Sequence, residues 1–346
     1  MNTDNSKTKL TNHIHNQIKK CEVWNKNLEK FYKDRHGDKF VKSNCKGKKK
    51  ALYIGINYIG SKSELNGCIN DVKNISQLFS KKYGFKQAVI LTDDNQDPKK
   101  KPTYDNIVNA MKWLVKDAKS GDSLVFHYSG HGGTVKDLDG DEIDGLDETI
   151  LPCDYTENGQ IIDDEIYKLL VEPLPKGCKL TAIFDSCHSG TIMDLPYTYQ
   201  CQNNIEVIEN DVRKEIFRKS SDVVNSIMGG NPVNIYKSIH DIYNGSLKKA
   251  ARNGTNPNTL QRRQCVGDIV QFSGCKDNQT SADMTVGNVS TGAMSYAIIT
   301  LLKEDKEYTY TELLACIKKI LSEKNFTQIP QLSTSRPLNM NDKFII

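Results

Sequence analysis

Short apolar runs alternate with stretches of helical spacing from residue 49 to the end of the chain. The runs predict buried strands at residues 51–56, 88–91, 123–128, 179–184 and 268–275. Apolar residues recur at helical spacing in residues 68–79, 107–115, 166–170, 294–302 and 313–321. Strands that alternate with helices of about ten to fifteen residues indicate a mostly parallel sheet that is covered by helices on both faces.

The carboxyl ends of two predicted strands carry the residues with the clearest chemistry. Reactive groups collect there in open α/β sheets, because the loops that follow the strands converge on one crevice. One strand is followed by Ser129-Gly130-His131-Gly132-Gly133 and another by Asp185-Ser186-Cys187-His188-Ser189-Gly190. An imidazole can remove the proton of a cysteine thiol and later protonate a leaving amine. The two strand ends therefore predict a thiol nucleophile paired with a histidine.

Roles for these residues follow from their positions. We assign Cys187 as the candidate nucleophile and His131 as the candidate general acid and base. His188 is a competing base, although it adjoins Cys187 in the chain and would generally point away from it. The backbone N–H groups of Gly132, Gly133 and Cys187 are candidate donors to an oxyanion. Each residue alone has a structural explanation, but their combination at two strand ends favours catalysis.

The charge of the chain divides sharply along its length. The 346 residues carry 47 Lys or Arg and 43 Asp or Glu. Residues 1–50 contain 14 of the basic residues and 5 of the acidic ones, a net charge of +9. Residues 51–346 contain 33 basic and 38 acidic residues, a net charge of −5. A nucleic-acid-binding domain carries its positive charge on the folded part, so this division argues against a nucleic-acid partner. Residues 1–48 are either a solvated basic tail or a single amphipathic helix.

The sequence also predicts that this protein has no membrane partner. No run approaches the roughly 18 apolar residues that span a bilayer, and the first residues contain no apolar signal-peptide region. Ten cysteines without a secretory signal indicate a reducing compartment, and we expect a cytoplasmic location. The cysteines form no C-x-x-C pair, which argues against a cysteine-based zinc site.

The two motifs resemble those of the metacaspases, the caspase-like cysteine peptidases of protists, fungi and plants. Four further segments match in the family's order, namely Gly67 to Asp71, the acidic stretch Asp137 to Glu148, Asp194 to Tyr197, and Gly292 to Ala297. The resemblance implies an α/β fold, a caspase-like three-layer sandwich whose mostly parallel central sheet carries helices on both faces. It implies a type I organisation, with a basic segment at 1–48, a large-subunit-like region at 49–200, a polar spacer at 201–266 and a small-subunit-like region at 267–346.

The resemblance also implies cleavage after Arg or Lys, which a carboxylate in the substrate pocket would require. Asp185 lies two residues before Cys187 and therefore faces the same side of its strand. By resemblance Asp71 and Asp185 line the S1 pocket, with Ser129 and Cys68 beside them. The alternative for Asp71 is an ordinary acidic residue at a helix N-terminus.

An acidic cluster suggests a calcium site. Residues 137–165 contain 12 Asp or Glu and no Lys or Arg, and oxygen-rich clusters suit Ca²⁺. The spacing partly matches an EF-hand loop, but Glu142 stands where that loop requires Gly, so we reject an EF-hand. The resemblance implies a different set of ligands, Asp147, Asp163, Asp164 and Asp194. The alternative is a solvated acidic hairpin without a metal.

Together these inferences predict a calcium-dependent cysteine endopeptidase that cleaves polypeptides after Arg or Lys. We expect a monomer on family grounds, and cleavage of its own chain in the basic spacer or at residues 46–50. The Lys-rich segment 1–48 is a candidate inhibitor that lies across the active site. The competing hypothesis is a catalytically silent, calcium-responsive scaffold, and intact Cys187, His131 and Asp185 argue against it.

Overall fold

The computed structural model describes residues 41–136, 146–186, 189–190, 192–201, 205–209, 265–274, 283–286, 289–326, 328–336 and 338–346. Most of segment 1–48, with its predicted helix, and most of the spacer lie outside these ranges. No helix within the ranges is both long and apolar enough to cross a membrane.

The strands of the described ranges fall into one large sheet and two small ones. The large sheet contains β1 (Lys49–Gly55), β2 (Gln87–Thr92), β3 (Ser123–Ser129), β7 (Lys179–Asp185), β8 (Tyr197–Cys201), β9 (Ile205–Glu209), β10 (Asp268–Ser273) and β13 (Gln331–Thr334). The small sheets contain β4 (Gly132–Lys136), β5 (Leu146–Ile150) and β6 (Ile161–Ile162), and β11 (Asp283–Val286) and β12 (Val289–Gly292).

Four longer α-helices and two short ones accompany the strands in the described part of the chain. The longer helices are α1 (Cys68–Lys82), α2 (Tyr104–Val115), α5 (Ala293–Lys303) and α6 (Tyr310–Glu323), and the short ones are α3 (Tyr155–Asn158) and α4 (Asp163–Ile166). Local signals fix several helix starts. The side chain of Thr309 accepts a hydrogen bond from the backbone N–H of Glu312 and the side chain of Glu312 accepts one from the backbone N–H of Thr309, which forms a capping box.

The large sheet has the strand order β2-β1-β3-β7-β10-β13-β8-β9. Strands β2, β1, β3, β7 and β10 run parallel, whereas β13 runs antiparallel to both β10 and β8. The parallel strands are nearly continuous apolar runs because both faces are buried. Alternate residues of β1 enter opposite cores. Ala51 and Tyr53 pack with α1, α5 and α6, whereas Leu52 and Ile54 pack with α2.

The predicted fold class is confirmed: the sheet is mostly parallel and helices cover both faces. Each predicted strand of the parallel region lies within a residue or two of an observed strand. The helical pattern at 166–170 forms a short α-helix that continues into a π-helical turn, Tyr167–Val171, rather than a regular helix. The small sheets and strands β8, β9 and β13 were not predicted.

An ion network lies at the amino end of β7, on the edge of the sheet away from the predicted chemistry. The ammonium of Lys179, the first residue of β7, is fully buried and lies 3.6 Å from the carboxylate of Asp268. The guanidinium of Arg336 lies 3.5 Å from the same carboxylate oxygen, and the Tyr310 hydroxyl lies 3.1 Å from the ammonium. The backbone N–H of Ser43 donates to the other oxygen of Asp268, so segment 41–48 is attached at this edge.

Candidate active site

The carboxyl ends of the parallel strands lie level with one another. Ser129, the last residue of β3, is paired with Gly55 of β1 on one side and with Asp185 of β7 on the other. His131 follows Ser129 by two residues, and the N–H of Gly130 donates to the carbonyl oxygen of Asp185 at 3.4 Å. The register therefore places the His131 motif directly beside the strand end that precedes Cys187.

His131 is oriented by three contacts. Its backbone N–H donates to the hydroxyl of Tyr58 at 2.9 Å, and the two rings lie 4.6 Å apart between centroids. Its Nε2 lies 2.7 Å from the carbonyl oxygen of Ser63. Because a carbonyl oxygen can only accept, Nε2 carries the hydrogen, and in the neutral ring Nδ1 carries the lone pair. This arrangement gives His131 a proton-accepting nitrogen on the side opposite Ser63.

Two buried tyrosines support the His131 backbone. The hydroxyl of Tyr128 donates to the carbonyl oxygen of His131 at 2.7 Å, and the hydroxyl of Tyr58 donates to that of Leu151 at 2.7 Å. Burial and the nearby Tyr128 raise the pKa of Tyr58 well above its usual range. A side chain at Gly130 would place its Cβ 2.8 Å from the hydroxyl of Tyr128 and 3.1 Å from that of Tyr58. Glycine at position 130 therefore leaves room for the tyrosine pair.

The loop after β7 is attached to the later part of the chain. The amide of Gln271 on β10 donates to the carbonyl oxygen of Ser189 at 2.7 Å, and the hydroxyl of Ser189 donates to that of Ser186 at 3.0 Å. The hydroxyl of Ser333 on β13 donates to the carbonyl oxygen of Gly190 at 3.4 Å. Cys187 and His188 lie outside the described residues, and these bonds hold both sides of the segment that contains them.

Asp71, on the first turn of α1, is fully buried and accepts hydrogen bonds from two other elements. The hydroxyl of Ser129 donates to it at 2.7 Å, and the hydroxyl of Thr291 donates to its other oxygen. The backbone N–H of Gly292 lies 3.0 Å from both carboxylate oxygens. Burial, and then the charge of Asp185, raises the pKa of Asp71 well above its usual range, whereas these donors act to lower it.

Asp185 lies close enough to Asp71 for its charge to act on that carboxylate, and it contacts the β12–α5 junction. The backbone N–H of Ser295 donates to its carboxylate at 2.7 Å. The hydroxyl of Ser295 in turn lies 3.0 Å from Nε2 of His127, a fully buried histidine whose pKa burial lowers to about 3. The structure thus brings two buried carboxylates together beside His131. A cationic side chain is the ligand that such a pair would attract.

The S1 residues implied by resemblance all lie in this region, and three further residues join them. Cys68 is buried, and its backbone N–H donates to the side chain of Asn57 at 3.1 Å. Sequence reasoning did not assign roles to the three further residues that contact the site, which are Tyr58, Ser63 and Thr291. Thr291 directly precedes the Gly292 to Ala297 segment, so that segment was the one available signal for it.

Comparison with known proteins agrees with these motifs. A family model described as "Metacaspase, peptidase C14 domain" matches residues 49–196. Metacaspase-1 of Schizosaccharomyces pombe is 48% identical over 305 residues, which are 86% of this chain and 70% of the relative. Metacaspase-1 of Ajellomyces capsulatus is 46% identical over 314 residues, which are 90% of this chain and 86% of the relative. The chain belongs to the metacaspase family.

This metacaspase is therefore a caspase-like cysteine peptidase, and its substrates are polypeptides. Its fold also has a solved counterpart. The crystal structure of a Geobacter sulfurreducens protein superposes on this chain with a TM-score of 0.51 and 25% sequence identity. The match covers 84% of this chain and 94% of the Geobacter chain.

The predicted calcium ligands of this metacaspase lie around the three-stranded sheet and in the segment before β8. Asp147 and Glu148 of β5 are buried, and so is Asp163 at the start of α4. The carboxylate of Asp163 accepts the backbone N–H groups of Glu148 and Asp164, both at 2.8 Å. Burial, and then the charge of Glu148, raises the pKa of Asp163 to about 9.

The donor chemistry of these residues fits a hard divalent cation, because every candidate ligand is a carboxylate. Asp194 has a left-handed backbone with a φ of 48°, on the segment that leads from β7 to β8. In the described ranges, no three His, Cys, Asp or Glu side chains converge closely enough to hold a metal ion. Bound Ca²⁺ would therefore have to draw these carboxylates together.

Proposed function

We propose that this metacaspase is a calcium-dependent endopeptidase that cleaves polypeptides after Arg or Lys. The observation that carries the proposal is the buried carboxylate pair, Asp185 at the end of β7 and Asp71 on the first turn of α1, beside the strand end that precedes His131. Two buried carboxylates repel each other, and a cationic P1 side chain would relieve that repulsion. An acidic P1 side chain would increase it, so cleavage after Asp is disfavoured.

Cys187 and His131 carry the proposed chemistry. Nδ1 of His131 takes the proton of the Cys187 thiol, and the sulfur attacks the carbonyl carbon of the scissile bond. The same nitrogen then protonates the amine, the C–N bond breaks and a thioester remains. Water loses a proton to His131 and attacks the thioester, which releases the carboxylate product and returns the proton to sulfur. The Nε2 bond to Ser63 supports this role because it leaves Nδ1 as the acceptor.

The backbone N–H groups of Gly132 and Cys187 are the proposed oxyanion donors. Gly132 is paired with Ile150, and the N–H of Leu151 donates to the carbonyl oxygen of His131. Hydrogen-bonded and non-bonded pairs alternate along an antiparallel ladder, so the N–H of Gly132 is directed away from β5. The N–H of Gly133 is directed toward Thr149, which makes Gly132 the better candidate.

Asp147, Asp163, Asp164 and Asp194 are the proposed calcium ligands. The cation would supply positive charge to buried carboxylates that otherwise repel one another. Burial of Asp147 and Asp163, beside the buried Glu148, supports the proposal. Asp194 follows the Cys187 segment by seven residues, so ligation there would also restrain the loop that leaves the active site.

A fluorogenic peptide with Arg at P1 tests the peptidase proposal. We expect Cys187→Ala to lower turnover by about 10⁴-fold or more, since the reaction loses its nucleophile. Cys153→Ala is the matched control and should retain full activity, because burial raises the pKa of that thiol to about 11. Equal cleavage after Arg, Gln and Asp would refute the pocket assignment. No cleavage of any peptide, with Ca²⁺ present, would instead support the scaffold hypothesis.

Chelation tests the calcium proposal separately. EGTA should abolish turnover and added Ca²⁺ should restore it. Asp163→Asn should raise the Ca²⁺ concentration needed for half-maximal activity, whereas Glu157→Gln, an exposed acid on α3, should leave it unchanged. Activity that is indifferent to EGTA would contradict the proposal.

Self-cleavage and the monomeric state are two further parts of the proposal. Basic residues in the spacer, such as Arg218, Lys219, Arg262 and Arg263, match the expected P1 preference. Incubating the Cys187→Ala protein with active enzyme, followed by N-terminal sequencing of fragments, would identify the sites.

Caspases dimerise through a sheet edge, and here β8 and β9 lie beyond β13, which favours a monomer. Size-exclusion chromatography with light scattering would measure the mass.

A further inference from the structure

Asp71 depends on the later part of the chain for most of its hydrogen bonds. Of its partners, Ser129 lies on β3, 58 residues away, whereas Thr291 and Gly292 on β12 lie 220 and 221 residues away. Thr291 is 6% exposed, and its hydroxyl donates to Oδ1 of Asp71. The N–H of Gly292 reaches both carboxylate oxygens. The β12–α5 junction therefore fixes the plane and direction of the Asp71 carboxylate.

The same junction accommodates Asp185. A Cβ at Gly292 would lie 2.2 Å from Oδ2 of Asp185, 2.4 Å from its Cγ and 2.8 Å from its Oδ1. All three atoms of the carboxylate would have to move, so any side chain at position 292 displaces Asp185. Gly292 has a φ of −72°, which every residue type can adopt, so glycine is required here for space and not for backbone freedom.

We infer that Thr291 and Gly292 determine P1 specificity: Thr291 positions Asp71, and Gly292 lets Asp185 approach it. The inference rests on the proposed function, because it concerns the pocket proposed for Arg or Lys. Thr291 and Gly292 follow the spacer in the sequence, whereas Asp71 and Asp185 precede it. The proposed pocket is therefore built from both parts of the chain. Neither residue touches the reacting atoms, so both are positioning residues.

The physical reason lies in the balance of forces on Asp71. Burial and the charge of Asp185 favour the protonated carboxyl, whereas donors to its oxygens favour the carboxylate. Hydrogen bonds to a charged group are roughly twice as strong as neutral ones. Removing the Thr291 hydroxyl would therefore both loosen the carboxylate and reduce its negative charge. The affinity for a cationic P1 side chain should fall, while the cleavage step, whose reacting atoms Thr291 does not touch, is less affected.

Two substitutions at Thr291 separate the hydroxyl from the shape of the side chain. Thr291→Val keeps the shape and removes the donor, whereas Thr291→Ser keeps the donor and removes a methyl group. We expect Thr291→Val to raise KM for Arg and Lys peptides by at least about tenfold with a smaller change in kcat. Thr291→Ser should restore KM to within about threefold of the wild-type value, an effect well below that of the lost bond. Thr311→Val is the control, because it removes a buried hydroxyl that donates to Met340 instead.

Gly292→Ala provides a second, independent variant. It should lower the ratio of kcat/KM for Arg over Gln at P1 by about tenfold or more, since it displaces the Asp185 carboxylate. Wild-type KM in Thr291→Val, or equal loss in the Val and Ser variants, would overturn the role of Thr291. An unchanged Arg-to-Gln ratio in Gly292→Ala would overturn the role of Gly292. If the wild type itself does not prefer Arg or Lys, the proposed function fails and the inference fails with it.

Discussion

The two ends of strand β7 both bury an ionic side chain, but they handle its charge in opposite ways. At the amino end, Lys179 lies 3.6 Å from Asp268, and Arg336 lies 3.5 Å from the same carboxylate. At the carboxyl end, Asp185 lies beside a second carboxylate, Asp71, which is held by hydroxyl and backbone N–H donors. One end of the strand pairs opposite charges within the chain, and the other brings like charges together.

This difference separates a structural network from a binding site. Burial alone would lower the pKa of Lys179, but Tyr310 and Asp268 outweigh it and raise the pKa above its ordinary value. At the other end, burial and then the charge of Asp185 raise the pKa of Asp71, so the pair is least stable when both groups are ionised. A buried network that pairs opposite charges supports the fold, whereas two neighbouring buried carboxylates form a site that attracts a ligand of positive charge.

The largest expected effect comes from removing one charge at the carboxyl end. Asp185→Asn keeps the shape of the side chain and removes the repulsion and half of the proposed attraction for a P1 cation. We expect kcat/KM for an Arg peptide to fall by about 10³-fold to 10⁴-fold, as for other truncated buried charge pairs. The comparison with a Gln peptide provides the control. If the Arg-to-Gln ratio stays at its wild-type value, the carboxyl end is not a cation pocket.

A charge removed at the amino end should act on folding instead. Lys179→Met leaves Asp268 with one cation fewer in a buried site, and we expect the free energy of unfolding to fall by about 3 to 5 kcal/mol. Urea unfolding followed by circular dichroism would measure the loss. The double variant Lys179→Met, Asp268→Asn should recover part of it. A single variant as stable as the wild type would show that this network does not support the fold.

His127 tests a third way of burying an ionisable group, which is to keep it neutral. Burial lowers the pKa of His127 to about 3, from 6.5. As the pH falls below 6.5, the unfolded chain binds a proton that the folded protein does not, so stability is lost. By pH 4.5 this loss should reach about 3 kcal/mol relative to His127→Gln, which cannot titrate. Urea midpoints measured between pH 7 and 4.5 would check this, and parallel curves for the two proteins would contradict it.

An exposed ion pair should give the smallest effect. Lys319 and Glu323 lie 3.7 Å apart on the surface of α6, and their side chains are 74% and 62% exposed. Glu323→Gln should change the free energy of unfolding by less than about 0.5 kcal/mol. If Glu323→Gln lowered the free energy of unfolding as much as Lys179→Met does, burial would not explain why the two ion pairs differ.

The sequence was sufficient for the parallel half of the sheet. Residues 179–184 were predicted as a strand because both faces of β7 are buried, and such strands are continuous apolar runs. Strand β13 is equally buried, yet it reads Gln331-Leu332-Ser333-Thr334. The hydroxyl of Ser333 lies 3.0 Å from that of Thr198 on β8, and the hydroxyl of Thr334 donates to the carbonyl oxygen of Arg336 at 2.6 Å. Apolar patterning does not detect a strand whose burial rests on polar contacts.

The same limit applies to the site. His131, Asp71 and Asp185 were found because strand ends and charged side chains leave a signal in the sequence. Tyr58 and Thr291 act through hydrogen bonds to residues 73 and 220 positions away, and nothing local to either residue indicates those partners. Their roles depend on the register of the sheet and on the packing of β12 against α1, which only the folded chain provides.

The strand order also bears on what cleavage of the spacer would do. Strands β10 and β13 follow the spacer, yet they lie between β7 and β8, which precede it. Six residues of β10 pair with β7, and four residues of β13 pair with β8. Two fragments cut between residues 209 and 265 would therefore be interleaved, and parting them would require both ladders to break. We expect the nicked protein to give two bands on a denaturing gel and one particle in native chromatography.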